Sequence, residues 1–232
     1  MKKRSTAIVL AAGMGSRMQS KIAKQYMLLC GKPVLYYSLA AFEQSEVDDI
    51  ILVVGKEEIE YCKREIVERY EITKVRAIVT GGSERYLSVI NGLDCVVGAD
   101  YVMVHDGARP FVTPGMIAEL LNALKEKEAL VVGVPSKDTV KLVDANGMVT
   151  ETPDRKTVYN IQTPQAFSYS LLRSAYDKLL EEKAVMVTDD AMVVEQMLGA
   201  KVTVVMGSYQ NIKITTPEDM IVAEAFLNRG EQ

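Results

Sequence analysis

Histidine occurs once in the 232 residues, at His105, and cysteine three times, at Cys30, Cys62 and Cys95. The cysteine count is odd, the spacing is wide and no Cys-x-x-Cys occurs, which argues against a disulfide framework or a zinc site and points to a reducing cytoplasm. A single histidine suits acyl transfer through an activated nucleophile poorly. Basic residues are not in excess: the net charge is −4, so bulk nucleic-acid binding is disfavoured and local cations must do any phosphate work. No apolar stretch reaches the roughly 18 to 20 residues that span a bilayer. The basic start and apolar run of MKKRSTAIVLAAG lack the length of a signal-peptide core and read as a first strand. Internal repeats, low-complexity tracts and linkers are absent.

What is present is ordinary for a globular chain, 48% hydrophobic and 25% charged, and is expected to form one domain over residues 1–232. Short apolar runs alternate with longer amphipathic segments. Strands are expected at Ala7–Leu10, Asp49–Val54, Val75–Val79, Tyr101–His105, Leu130–Val134, Lys201–Met206 and Asn211–Ile214. Helices are expected at Pro33–Glu46, Lys56–Tyr70, Pro114–Lys127, Ser168–Glu182 and Asp189–Leu198, with one capped by Ser83 and running to about Val97. Thr216 is expected to cap a last helix. The alternation predicts an α/β fold, a Rossmann-like, mostly parallel sheet with helices on both faces and ligands beyond the carboxyl ends of its strands. Asn146-Gly147 between two extended runs predicts an inserted β-hairpin arm over about 136–160. An isolated hairpin is marginal in water, and a second copy of the chain is the economical thing for it to pack on, with a surface hairpin lying on its own body as the competing reading.

The chemistry is expected at the turns. Ala11-Ala12-Gly13-Met14-Gly15 follows the first strand, with Arg17 and Lys24 behind it. Small residues let backbone N–H groups approach a polyphosphate, and the two cations add a planar fork and a point charge. A loop carrying two solvated cations is the competing reading. Neither familiar phosphate fingerprint fits, because Met18 stands where G-x-G-x-x-G needs a small residue and Ser20-Lys21-Ile22 stands where a P-loop needs Gly-Lys-Ser/Thr. Gly81-Gly82-Ser83, with Ser88 further on, could meet a nucleobase or ribose, or be a plain connection and cap. Asp106 could meet a substrate hydroxyl or Mg²⁺, and Arg109 a phosphate. His105 is read as packing at a strand end in preference to acting as a general base. Thr139, Arg155, Gln162-Thr163-Pro164-Gln165 and Thr188-Asp189-Asp190 form a third group at loop or strand ends, and Lys213 closes the set.

With these residues laid out, the chain resembles the 2-C-methyl-D-erythritol 4-phosphate cytidylyltransferases. The matching stretches are LAAGMGSRM, KQY, GGSERYLSV, VHDGARP, KDT, the Arg155 loop with QTPQAF, TDDA and NIKITTPED. The resemblance implies a CTP-dependent transferase needing Mg²⁺, held mainly by the CTP phosphates with Asp106 a possible ligand, and a homodimer joined through the β-arm. It implies CTP contacts at Ala11, Ala12 and Gly13, and cytosine and ribose contacts at Gly82, Ser83 and Ser88. The serine at position 83, often acidic in relatives, could alter one base contact. Arg17 and Lys24 would stabilise the transferring phosphoryl group. Asp106, Arg109, Thr139, Arg155, Thr163 and Thr188 would hold the methylerythritol phosphate, with Arg155 reaching the neighbouring subunit's site, and Lys213 would hold the nucleotide and position the incoming phosphate. Ribitol-5-phosphate cytidylyltransferases share most motifs, but HDGARP and TPDRKTVYNIQTPQ favour the erythritol enzyme. A catalytically silent nucleotide-binding protein is the alternative of another class.

Overall fold

In the computed structural model, which describes residues 3–13, 23–182 and 186–230, apolar alternation sorts the chain into two layers around one sheet. The elements run β1 (Ser5–Ala11), β2 (Leu28–Leu29), β3 (Lys32–Pro33), α1 (Val34–Glu43), β4 (Asp49–Val54), α2 (Ile59–Cys62), β5 (Val75–Thr80), α3 (Arg85–Leu93) and β6 (Tyr101–Asp106). They continue with α4 (Pro114–Ala123), β7 (Ala129–Pro135), β8 (Leu142–Val143), β9 (Val149–Glu151), β10 (Tyr159–Ser168), α5 (Tyr169–Glu181), α6 (Asp190–Leu198), β11 (Thr203–Met206) and α7 (Pro217–Gly230). Seven strands form the main sheet in the order β11-β7-β10-β6-β1-β4-β5. β1 pairs in parallel with β4 and β6, β4 with β5, and β11 with β7.

Side chains on a strand point alternately to the two faces, and the buried residues obey that period. Ala7, Val9, Ile50, Leu52, Tyr101 and Met103 pack with Leu39 and Phe42 of α1 and Ile117 and Leu120 of α4. Their neighbours Ile8, Ile51, Val53, Val102 and Val104 join Val89 and Leu93 of α3, Leu172 and Tyr176 of α5, and Val193 of α6. α3 lies close on the sheet because Gly92 faces it; a Cβ there would stand 2.6 Å from Ile8 Cγ2. A smaller cluster of Leu29, Val34, Ile214 and Ala223 fastens α7.

Three expectations need correction. β10 reads in the sequence as loop and strand ends, yet it is the longest strand and runs antiparallel between β6 and β7. Its register shifts between Ile161 and Gln165, which accommodates Pro164 where a regular ladder would need an N–H. The stretch Asn211–Ile214 is irregular backbone, tied down by Ile214 N–H to Ala108 O at 2.8 Å. Residues 56–70 are not one α-helix: a 3₁₀ turn at Lys56–Glu58, α2 and a π-helical turn at Lys63–Glu68 follow one another. Thr216 stands directly ahead of α7, where its O accepts from Asp219 N–H, and the Asp219 carboxylate accepts in return from the backbone N–H groups of Thr215 and Thr216.

The hairpin arm forms around Asn146-Gly147, with Gly147 at φ +80 and Asp144 Oδ1 accepting from Asn146 N–H and Met148 N–H. Its strands, β8 and β9, are shorter than the sequence suggests, and residues 141–152 are all exposed. No helix among the described residues is long and apolar enough to cross a membrane.

Candidate active site

A cleft of about 610 Å³ opens at the carboxyl ends of β1, β4, β5 and β6. Its floor is Ala11 at the end of β1 with Ala12 and Gly13 after it, Gly55 and Lys56 after β4, and Thr80 at the end of β5 with Gly81 to Glu84 after it. Arg85 and Ser88 enter from the start of α3, Asp106 and Ala108 from the end of β6, Lys24 and Gln25 from a single 3₁₀ turn, and Lys213 from the loop before α7. The glycines at the β5 end are there for packing. A Cβ on Gly81 would lie 2.3 Å from that of Ala12, and one on Gly82 equally near Leu87 Cβ. Ser83 is not the cap of α3: that position falls to Glu84, without a side-chain cap bond, and Ser83 lines the cleft instead. Ser88 Oγ accepts from Gly82 N–H at 3.0 Å and donates to Glu84 O at 3.2 Å, fixing the turn on the helix.

A charged chain runs behind this floor. Lys213 Nζ lies 2.8 Å from Asp106 Oδ2, and Arg85 Nε 3.5 Å from Asp106 Oδ1. Arg85 also grips the fully buried Asp190 with both terminal nitrogens, at 3.0 and 2.7 Å. Tyr176 Oη donates to Asp190 Oδ1, and Gln165 Oε1 accepts the N–H groups of Asp190 and Ala191. Burial alone would raise the Asp106 carboxyl; Arg85, then Lys213 and Arg109, outweigh it and hold the group well below the ordinary carboxylate range.

Asp106 is also fixed through its backbone. Its N–H donates to Thr163 Oγ1 at 3.0 Å, that hydroxyl lies 3.1 Å from His105 Nδ1, and His105 Nε2 lies 3.2 Å from Arg109 O. A hydroxyl that accepts from Asp106 has its proton free for Nδ1, which assigns the imidazole proton to Nε2, donating to Arg109 O. Burial keeps the ring neutral and lowers its pKa to about 4. His105 therefore braces the two ends of the Asp106–Arg109 turn, as expected of a packed histidine. Arg109 Nη1 donates to Asn211 O at 2.8 Å, while its buried Nε has no hydrogen-bond partner among the described residues.

The cleft thus gathers Ala11, Ala12, Gly13, Lys24, Gly82, Ser83, Ser88, Asp106 and Lys213 of the expected set. Arg109 and Thr163 stand just behind it, with the Thr163 hydroxyl committed to Asp106 and His105. Thr139, Arg155 and Thr188 are exposed and outside its lining. Arg155 sits in the arm, where Nη1 donates to Lys137 O. Arg17 lies outside the described residues. Sequence reasoning missed Arg85 and Gln25. The only clue to Arg85 was a cation in the first turn of a helix opening on a glycine pair.

A mixed sheet whose parallel strand ends carry a small-residue floor and paired cations defines a nucleotide-binding α/β protein of the nucleotidyltransferase kind. The sequence profile of the 2-C-methyl-D-erythritol 4-phosphate cytidylyltransferase family matches residues 5–229, and the chain belongs to that family. It is 57% identical over 226 residues to 2-C-methyl-D-erythritol 4-phosphate cytidylyltransferase of Lachnoclostridium phytofermentans, covering 97% of each chain. Among solved structures, 4-diphosphocytidyl-2C-methyl-D-erythritol synthase of Anaerococcus prevotii superposes with a TM-score of 0.87 at 40% identity, covering 97% of this chain and 96% of that one. The 2-C-methyl-D-erythritol 4-phosphate cytidylyltransferase of Thermus thermophilus gives 0.76 at 28% identity, covering 95% and 98%.

Proposed function

We propose that the chain transfers the cytidylyl group of CTP to 2-C-methyl-D-erythritol 4-phosphate, releasing pyrophosphate and 4-diphosphocytidyl-2-C-methyl-D-erythritol. Family membership supports the reaction, and the observation that carries it is the convergence of Lys24, Lys213 and Arg85 with Asp106 around the small-residue floor. The acceptor phosphate, with a second pKa near 6, is already an anionic nucleophile. Its oxygen attacks the α-phosphorus of CTP, a new P–O bond forms, and the bond to the β-phosphate oxygen breaks. No side-chain nucleophile is needed; the work is bringing two anions together and stabilising charge at phosphorus. Backbone N–H groups of Ala11, Ala12 and Gly13 would meet the triphosphate, and Gly82, Ser83 and Ser88 the nucleoside. Lys24, with Arg17, would stabilise the charge developing at phosphorus, and Lys213 would steer the incoming phosphate. Asp106, Arg109, Thr139, Arg155 and Thr188 would hold the polyol phosphate. Thr163 enters as the residue that fixes Asp106.

The donor set suits a Mg²⁺ carried in on CTP. No group of three or more acids, histidines or cysteines among the described residues could hold a metal by itself, whereas Asp106, with Glu84 also in the cleft lining, offers a carboxylate of the kind that joins substrate phosphates on Mg²⁺. Such an ion would neutralise phosphate charge. The apolar, exposed arm supports a homodimer, and the three unpaired cysteines support a reducing cytoplasm as the working compartment.

The test is pyrophosphate release from CTP and Mg²⁺ with 2-C-methyl-D-erythritol 4-phosphate, beside the same assay with ribitol 5-phosphate. Faster release with the first acceptor is expected. Faster release with ribitol 5-phosphate would overturn the acceptor, and release with neither would overturn the reaction.

A further inference from the structure

Lys24 sits on a short 3₁₀ turn, Lys24–Tyr26. The turn that carries it has three residues, no side-chain cap, and two local backbone bonds, Tyr26 N–H to Ala23 O and Met27 N–H to Lys24 O. A lysine side chain has about 1.5–2 kcal/mol of rotamer freedom to lose, so its backbone must be set by something firmer. The two residues that follow supply it. Gln25 is 2% exposed, and its Nε2 donates to Ala11 O at 2.6 Å, the carbonyl that ends β1. Tyr26 is 8% exposed, and its hydroxyl donates to Glu58 Oε2 at 2.8 Å. The same oxygen accepts Gly55 N–H, the first after β4, at 2.9 Å, and Cys62 Sγ–H donates to the Tyr26 oxygen at 3.2 Å. Ala11 and Val54 are register partners in adjacent strands. The two anchors therefore lie at neighbouring strand ends, and Ala11 and Gly55 both line the cleft. Gly55 is confined there, since a Cβ would lie 2.6 Å from Glu58 Oε2.

We propose that Gln25, Tyr26 and Glu58 are positioning residues for the transfer: they clamp the Lys24 turn to the ends of β1 and β4 and set where the ammonium meets the reacting phosphate. The clamp rests on the role given to Lys24 above. It differs from simple packing because the tyrosine ring and the glutamine stem fill space, whereas one hydroxyl and one amide fix the register of the turn. A displacement of about an ångström at such a group can cost up to about a hundredfold in rate.

The experiment compares Tyr26→Phe, Gln25→Met, Glu58→Ala and Glu58→Gln with the intact enzyme, using Lys24→Ala as reference, and reads kcat, KM for CTP and melting temperature. Tyr26→Phe and Gln25→Met should lower kcat at least about tenfold, leave KM for CTP within about twofold and melt within a few degrees of the parent. Glu58→Ala should follow Tyr26→Phe, and Glu58→Gln, which keeps an acceptor for the phenol, should recover most of the loss. Unchanged kcat in Tyr26→Phe and Gln25→Met, beside a collapsed Lys24→Ala, overturns the clamp alone. A fall in kcat matched by a fall in melting temperature, with no recovery in Glu58→Gln, also overturns it and leaves a packing role. Near-normal kcat in Lys24→Ala overturns the role of Lys24 and the clamp with it.

Discussion

At the scale of single residues, the cleft depends on how a few polar atoms are spent. Lys24→Ala removes a cation without touching the core, and turnover should fall by about two orders of magnitude or more with the melting temperature nearly unchanged. Steady-state pyrophosphate release beside a thermal melt checks both halves. His105 gives a pH dependence with a definite sign. Its folded pKa, about 4, lies below the 6.5 of a free imidazole, so between those values the unfolded chain holds more protons. Stability from the neutral ring is complete above pH 6.5 and is lost as the pH falls toward 4, by roughly 3 kcal/mol in all. Asp106 acts with the same sign at lower pH, because its folded carboxyl is depressed and its contribution disappears only on stronger acidification. Urea titrations at intervals from pH 7 to 4 should show that slope in the parent. His105→Gln should be less stable at pH 7 and show a shallower slope, and an equal slope would remove His105 as its source.

At the scale of elements, the site is held by helix starts tied to one another. Arg85 opens α3 and Asp190 opens α6, and their two-pronged ion pair, with Asp190 buried and Arg85 half-buried, joins the helices over the end of the sheet. Removing Asp190 leaves Arg85 half-buried with only the longer contact to Asp106 and Tyr176 Oη without its acceptor, at a cost near the lower end of what breaking a buried pair takes, about 3 kcal/mol. Asp190→Ala should lose about that much in urea unfolding, far more than the ~1 kcal/mol expected of removing the neighbouring Asp189 cap. These ties also show what the sequence made legible. β4 was readable to the residue because Asp49 opens it and the IILVV that follows is an unbroken apolar run buried on both faces. β10 was not, because Gln162, Thr163, Pro164 and Gln165 look like a loop; they are buried because their side chains bond Ser208, Asp106 and Asp189 across long stretches of sequence. Most of the candidate site was legible for the opposite reason: its glycines, Lys24, Asp106 and Lys213 fall just after strands or in loops, where local motifs suffice. Arg85, Gln25 and the committed hydroxyl of Thr163 needed the partners, and partners at such separations have no local signature.

At the scale of the whole molecule, the body buries its apolar residues well and the arm does not. Leu142, Val143, Met148 and Val149 are 47% to 68% exposed, and Val204 and Met206 are exposed on β11, one of the two edge strands of the sheet. Apolar area of this kind is what the proposed homodimer would cover. Arg155, on the same arm, lies outside the cleft of its own chain, so the proposed dimer would let it serve the other one. The parent should therefore sediment at about twice 25.6 kDa, and the pair Met148→Asp and Val149→Asp should shift it toward the monomer with loss of turnover. Complementation separates a shared site from mere association. Lys24→Ala and Arg155→Ala homodimers should each be nearly inactive. Unfolded together and refolded at equal ratio, half of the dimers should be hybrids, each with one site that has both an intact Lys24 and the other chain's intact Arg155. About a quarter of parental activity should return. Mixtures no more active than the sum of their parts would mean that Arg155 works within its own chain, and the arm would then hold the dimer together without completing the partner's site.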